Sequence, residues 1–349
     1  MTNWPEKHHG KFSTDCRMAS RERLVCGSVR CMKERPADDP RVSPIELRKE
    51  LITHGLDDRS IARLVAEGSL HRLRYGAYVD GAAWSECDDV GRHGLVGRAV
   101  LRHANTGLVL SHESALGEWD VPIWDQSLDE VHVTRVDQRS GRREAGVCQH
   151  LGELRPRDRV SHNGVPVTTP TRTAMDCASL LDVEHGVVIV GDLLHRKLTT
   201  LDDLVECAEF MERWPGSLKH RVVLRVADGR CESVGEHRTL HLCWQQRLPR
   251  PIPQYKVRDP DTGEVLAVVD FAWPEHGVFL EFDGKIKYQK LLKDGESPTD
   301  VVLREKRREE LICRLTGWRC IRIVWADLYA PVRTAAAIRD LFRPSTAVG

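Results

Sequence analysis

The chain has 349 residues, a formal net charge of zero, 41% hydrophobic residues and 30% charged residues. This length allows about two or three domains with separate cores, and the composition excludes a disordered chain and a membrane protein. Any nucleic-acid contact must therefore come from local basic clusters. No apolar run reaches the ~20 residues of a transmembrane helix and no signal peptide opens the chain, so a cytoplasmic protein without membrane attachment is expected.

The eleven cysteines predict neither disulfides nor a zinc site. Their number is odd, no secretion signal is recognised, and no pair has the spacing Cys-x-x-Cys. Several lie among apolar residues, where a reduced cysteine behaves as a small hydrophobic side chain. These are Cys177, Cys207, Cys243, Cys313 and Cys320.

Residues 1–41 are polar and without apolar periodicity, so we expect a flexible tail. Two helices are predicted after it. Ser43 caps the first, with Pro44 in its first turn, and Asp57 or Asp58 caps the second, which covers residues 59–67. An alternating hairpin segment up to residue 79 follows them.

Two helices followed by a hairpin are typical of a winged-helix DNA-binding domain, here residues 42–94, whose second helix faces the DNA groove. The second helix carries Arg59 and Arg63, and the hairpin carries Arg72 and Arg74. These four arginines are the candidate DNA contacts of this domain. A small helical domain with a solvated basic face is the alternative interpretation.

Residues 95–215 predict a mixed α/β region. Strands are expected over residues 107–111 and 130–134, and helices over 171–181, 183–195 and 202–213. Ser111-His112-Glu113 begins a short helical stretch. Ser111 is interpreted as its N-cap in preference to a catalytic group, because no partner motif accompanies it.

Three segments resemble the antitoxins of abortive-infection, type IV toxin–antitoxin systems. They are Gly68-Ser-Leu-His-Arg-Leu-Arg-Tyr-Gly-Ala-Tyr-Val79, Leu110-Ser-His-Glu-Ser-Ala115 and Gly164-Val-Pro-Val-Thr-Thr-Pro170. The resemblance covers roughly residues 42–200 and implies an N-terminal winged helix that binds promoter DNA. A cognate toxin as partner follows only if the antitoxin role applies, since the same module also occurs fused to other domains.

Two acid-bearing strands are predicted in the last third of the chain. The strand 267–273 carries Asp270, and after a turn over residues 274–277 the strand 278–283 carries Glu281 and Asp283. If the loop has an even number of residues, Trp273 faces Val278 and Asp270 stands opposite Glu281, with Asp283 on the same face. Like charges so placed destabilise a strand pair, which predicts a bound Mg²⁺ or Mn²⁺.

Two lysines follow these acids, Lys285 directly after Gly284 and Lys287 two positions later. A lysine beside a metal-bound carboxylate can orient the attacking water or stabilise the charge that develops on a phosphate. Either lysine fits this role, and the choice between them decides whether Glu281 or Asp283 is the principal ligand.

The order Asp270, ten residues, Glu281-Phe-Asp283-Gly-Lys285 resembles the PD-(D/E)XK pattern, and most closely the Vsr-like (very-short-patch-repair-like) nuclease domains. Further segments match in family order: Val269-Asp-Phe-Ala-Trp-Pro-Glu275, Phe282-Asp-Gly284, Arg304-Glu-Lys-Arg-Arg308 and Gly317-Trp-Arg-Cys-Ile-Arg-Ile-Val-Trp325. The resemblance covers about 100 residues. It implies a metal-dependent endonuclease domain, assigned to residues 216–343, with a restriction-endonuclease-like core in which helices flank a mixed central sheet.

The family also has a supporting acid on a helix before the first strand. On the predicted amphipathic helix 232–244, Glu236 is the first choice and Glu232 the second, one helical turn apart. Acids that favour the helix dipole are the alternative interpretation.

A basic helix over residues 301–316 carries Arg304, Arg307 and Arg308, which are candidate phosphate contacts or part of a solvated face. A strand at 319–325, a helix at 331–342 and a tail at 344–349 end the chain. The expected fold class is α+β overall, with α/β regions. The expected function is a metal-dependent DNA endonuclease, in phage defence or DNA repair. The alternative is a DNA-binding regulator or antitoxin with a non-catalytic nuclease-like domain, and a homodimer stays open in both cases.

Overall fold

The computed structural model describes residues 33–137, 141–259, 261–284 and 298–343. Its three sheets are antiparallel or mixed, and with the helices they give the expected α+β fold. The strands are β1 (Glu46–Leu47), β2 (Leu70–Arg74), β3 (Ala77–Asp80), β4 (Leu108–Leu110), β5 (Val131–Arg135), β6 (Arg143–Glu144), β7 (Val147–His150), β8 (Arg159–His162), β9 (Val165–Thr168), β10 (Ile252–Arg258), β11 (Val265–Trp273), β12 (Val278–Asp283) and β13 (Arg319–Val324).

The helices belong to all three regions of the chain. They are α1 (Arg48–Thr53), α2 (Asp58–Ala66), α3 (Gly81–Glu86), α4 (Asp89–His103), α5 (His112–Leu116), α6 (Pro170–Leu180), α7 (Val183–His195), α8 (Leu201–Phe210), α9 (Leu218–Val226), α10 (Val234–Gln245), α11 (Pro298–Thr316), α12 (Trp325–Leu328) and α13 (Pro331–Phe342). Within the described ranges, none of them combines the length and the apolar character needed to cross a membrane.

The N-terminal unit contains α1, α2 and a three-stranded antiparallel sheet in the order β1-β3-β2. Asp57 is the cap of α2, since its side chain accepts a hydrogen bond from the backbone N–H of Ser60. The predicted start of the first helix at Ser43 is wrong. Glu46 and its neighbour pair with β3 first, and the helix begins only at Arg48.

The region before this unit is anchored to the middle of the protein. The sequence placed residues 33–41 in a tail, whereas the nearly buried Arg35 guanidinium donates to Glu118 and Asp120 at 3.1 and 2.7 Å. Helix α4 runs continuously through the expected domain boundary after residue 94. Its residue Leu95 packs in the N-terminal core and Val100 in the middle core, so one helix serves both units.

The middle region is a six-stranded mixed sheet in the order β6-β7-β5-β4-β9-β8. Helices α5 to α9 supply the other side of its core, which includes Met175, Ile189 and Leu204. Ser111 lies at the N-cap position of α5, but its side chain makes no capping hydrogen bond. The predicted capping role is wrong because the Ser111 hydroxyl accepts a hydrogen bond from Thr134 instead.

The C-terminal sheet has the order β10-β11-β12-β13. The first three strands are antiparallel, and β13 runs parallel to β12. Apolar residues alternate along β12, so Leu280 packs with Ile338 of α13 on one face and Phe279 packs with Ile312 of α11 on the other. Helices therefore cover both faces of this sheet. The acids of β11 and β12 are thus carried by strands that are packed on both sides.

Candidate functional site

The hairpin β11–β12 has the register predicted from the sequence. Trp273 pairs with Val278, and the pairing continues to Phe271 and Leu280. The strand pairing ends there, and the next residues in this register are Asp270 on β11 and Glu281 on β12, both of which are buried. Asp270 Oδ2 accepts a hydrogen bond from the backbone N–H of Phe282 at 2.8 Å. Both carboxylates therefore lie in the buried part of the sheet, next to the paired end of the hairpin.

Two arginines contact the acids of β12. Arg308 of α11 approaches Glu281 at 2.5 Å, and Arg322 of β13 approaches Asp283 at 3.2 Å. Arg308 is one of the candidate phosphate contacts of the basic helix, and in this arrangement its guanidinium contacts the carboxylate of Glu281. Arg322 was not among the site residues predicted from the sequence. It lies beside Glu281 because β12 and β13 pair in parallel, and no local sequence pattern indicates this pairing.

Glu236 lies in the first turn of α10 and is 1% exposed. Its carboxylate accepts hydrogen bonds from the Ser233 hydroxyl at 2.7 Å and from the backbone N–H of Glu232 at 3.0 Å. Glu232 itself precedes the helix, so the predicted placement of both acids on one helical face is wrong. The capping residue Ser233 starts the helix one residue after Glu232. Glu236 is therefore the acid that points inward, and it also closes the helix N-terminus.

A close approach of α10 to β12 positions Glu236. A Cβ atom added at Gly235 would lie 2.0 Å from the Phe282 ring, so only glycine allows this distance. Burial raises the pKa of the neighbouring Cys231 thiol, and the carboxylates of Glu236 and Asp270 raise it further. Glu236 and Asp270 thus contribute to the same local electrostatic environment.

Gln254 connects Glu236 to the hairpin and was not identified from the sequence. Its neighbours Pro253 and Tyr255 pair with Phe271 and Val269, which places Gln254 beside Asp270. Its Nε2 donates to Glu236 Oε2 at 3.1 Å. Its φ of 49° lies in the left-handed region, which costs a non-glycine residue energy and is enriched at functional sites.

The acids of this site fit a hard divalent cation. Asp270, Glu281 and Asp283 offer carboxylate oxygens, the donors that Mg²⁺ and Mn²⁺ prefer. Lys285 and Lys287 lie outside the described residues. Of the other arginines predicted on α11, Arg304 is partly buried and Arg307 is exposed.

The four predicted DNA contacts of the N-terminal unit lie on α2 and β2. Arg59, Arg63 and Arg72 are exposed, whereas Arg74 is half-buried. Arg63 lies 3.9 Å from Glu67, one turn further along the helix. Three of the four side chains are therefore accessible to a partner.

No protein-family model matches the chain. Two similar proteins come from Mycobacterium tuberculosis: "Uncharacterized protein MT2308" of strain CDC 1551 / Oshkosh and "Uncharacterized protein Rv2248" of strain ATCC 25618 / H37Rv. Each is 26% identical over 275 residues, which cover 78% of this chain and 93% of the relative. The similarity therefore extends over most of this chain and nearly all of each relative.

Proposed function

We propose that this protein is a cytoplasmic, metal-dependent DNA endonuclease whose N-terminal unit, a winged helix, places the C-terminal domain on its substrate. The observation that carries the proposal is the burial of Asp270 and Glu281, the next residues in the register of a packed hairpin. A like-charge pair in that position destabilises the sheet, so a function that needs both carboxylates explains why they lie there.

The proposed chemistry is phosphodiester hydrolysis at the open end of this hairpin. Asp270 and Glu281, with Asp283, would hold a Mg²⁺ or Mn²⁺ ion, which when bound supplies Lewis-acid activation of water and phosphate. Gln254 and Glu236 position the first strand through their hydrogen bond. Arg308 would break its contact with Glu281 and bind a phosphate of the substrate, because a guanidinium can bind a carboxylate or a phosphate in the same bidentate manner.

Cleavage of supercoiled plasmid and of labelled single-stranded DNA tests this proposal. We expect the full-length protein to nick DNA with Mg²⁺ or Mn²⁺ and to be inactive when the metal is chelated. The endonuclease proposal would be contradicted if the protein cleaves neither substrate but still binds duplex DNA without metal.

Recognition of DNA by the N-terminal unit has a separate test. The double substitution Arg59→Ala, Arg63→Ala should weaken duplex binding for all sequences, because the exposed guanidinium groups neutralise phosphates. The slope of log affinity against log salt should decrease by about 0.9 for each phosphate that the variant no longer neutralises. Binding is measured by fluorescence anisotropy at several salt concentrations.

The matched control is Arg221→Ala, Arg225→Ala, which removes two exposed arginines with the same spacing from α9. An equal decrease in affinity in both double variants would show that general positive charge, and not the α2 surface, binds the DNA.

A second candidate function is a DNA-binding regulator with a non-catalytic nuclease-like domain. The contacts of Arg308 with Glu281 and of Arg322 with Asp283 favour it, since they balance part of the acidic charge without a metal. If the protein is such a regulator, we expect substitution of Asp270 to leave its affinity for duplex DNA unchanged.

A further inference from the structure

A second group of metal-ligating side chains lies in the six-stranded sheet. His132 is on β5, and Cys148 and His150 are on the parallel strand β7. His132 pairs with Cys148, and Thr134 pairs with His150, so the three ligating side chains share one face of the sheet. One ligand atom of each residue lies within 4.8 Å of those of the other two. Three such donors at this separation can reach a single ion.

The two imidazoles are already close to the geometry that an ion requires. His132 Nδ1 and His150 Nε2 are 2.8 Å apart. Two nitrogens bound to one Zn²⁺ at about 2.0–2.1 Å would be about 3.3 Å apart in a tetrahedral site. A bound ion would replace the hydrogen bond between the two rings and its proton, and the nitrogens would move apart by about 0.5 Å.

A buried carboxylate faces the other nitrogen of His132. Glu113 Oε2 lies 3.5 Å from His132 Nε2. A carboxylate in this position fixes the tautomer and the ring orientation of a metal-binding histidine, so that the opposite nitrogen can bind the metal. Helix α5 thus provides a residue, Glu113, that supports the His132 ligand.

A cavity of about 270 Å³ borders the ligand group, and His150 is part of its wall. The His112 ring stacks on that of His150 with centroids 3.6 Å apart, and His112 has a φ of 51°. Asp176 also lines the cavity, and its buried Oδ2 has no hydrogen-bond partner among the described residues. An unsatisfied buried oxygen of this kind points to a polar molecule in the cavity.

We propose that His132, Cys148 and His150 bind a divalent transition-metal ion of the zinc class, with Glu113 orienting His132 and the fourth coordination position facing the cavity. Three protein ligands and one open position are the pattern of zinc sites that bind an exogenous ligand. The nitrogen and sulfur donors select a softer ion than the oxygen donors of the hairpin. The spacing of the cysteines did not reveal the group, because its ligands come from two separate strands.

Cobalt substitution in the full-length, metal-stripped protein tests the site. We expect one equivalent of Co²⁺ to give a thiolate-to-cobalt charge-transfer band, which Zn²⁺ then removes. Cys148→Ser should abolish the band, and Glu113→Gln should weaken binding about 10–100-fold. The control Cys313→Ser replaces another partly exposed cysteine and should keep the band.

Two results would overturn the site: no thiolate band in the unsubstituted protein, or a band of equal strength in the Cys148→Ser and Cys313→Ser variants. Circular dichroism establishes that each variant is folded. The hairpin variant Asp270→Asn should retain the band, so this test succeeds or fails independently of the nuclease activity.

Discussion

Asp270→Asn is expected to abolish metal-dependent cleavage, lowering the rate at least about a thousandfold, which corresponds to about 4 kcal/mol of transition-state stabilisation. Asparagine has the same shape and keeps an oxygen that can accept the hydrogen bond from the Phe282 N–H. It removes the charge that would hold a hard cation opposite Glu281. Initial rates of plasmid nicking in Mg²⁺ and Mn²⁺ measure the effect.

The same substitution should leave the thermal stability unchanged or raise it. The neutral side chain relieves like-charge repulsion across the strand pair. Loss of cleavage without loss of thermal stability would show that the Asp270 carboxylate serves function and does not support the fold.

Asp261→Asn is the matched control, since Asp261 is an exposed acid in the connection before β11. It should cleave DNA at the unsubstituted rate. Full activity in Asp270→Asn would place the chemistry elsewhere in the chain or in a contaminating nuclease.

Arg172→Met is expected to lower the free energy of unfolding by about 3–5 kcal/mol, the cost of leaving the buried Asp176 carboxylate without its cation, while Asp158 keeps its contact with Arg155 at 2.9 Å. Arg172 is 1% exposed and contacts Asp176 at 2.8 Å and Asp158 at 3.2 Å. Its guanidinium also lies 4.7 Å from the centre of the Trp214 ring. Methionine replaces the volume and not the charge. Urea denaturation followed by circular dichroism gives the difference.

Arg157→Met is the control for this destabilisation, because Arg157 pairs with Glu206 on the surface. An exposed ion pair contributes at most about 1 kcal/mol. Adding Asp176→Asn to Arg172→Met should restore part of the stability by removing one uncompensated charge. If Arg172→Met lowers the free energy of unfolding by less than about 1 kcal/mol, water enters and solvates the Asp176 carboxylate.

The acid hairpin shows what local patterns can predict. Alternation of side chains determines which face each residue occupies, and a turn at Gly277, with a φ of 59°, sets the register. Both signals lie within about fifteen consecutive residues. The register of this hairpin, with Trp273 opposite Val278, therefore followed from the sequence, as did the bounds of α7, β12 and α13.

Local patterns were least reliable where a distant segment competes for the same residues. Strand β3 pairs with Glu46, so the first helix starts later than its capping signals indicate. Thr134 of β5 engages Ser111, so a residue at an N-cap position does not cap its helix.

The acid hairpin and the bounds of several helices followed from the sequence, because side-chain periodicity and turn chemistry act between near neighbours. Strands such as β7 and β10 and the groups that surround the acids became visible only in the folded protein. Gly235 brings Glu236 to β12, and Gln254 and Arg322 arrive on strands from elsewhere in the chain. The histidine–cysteine group likewise exists only where β5 and β7 pair. Such contacts depend on how distant segments pack, and no spacing along the chain encodes them.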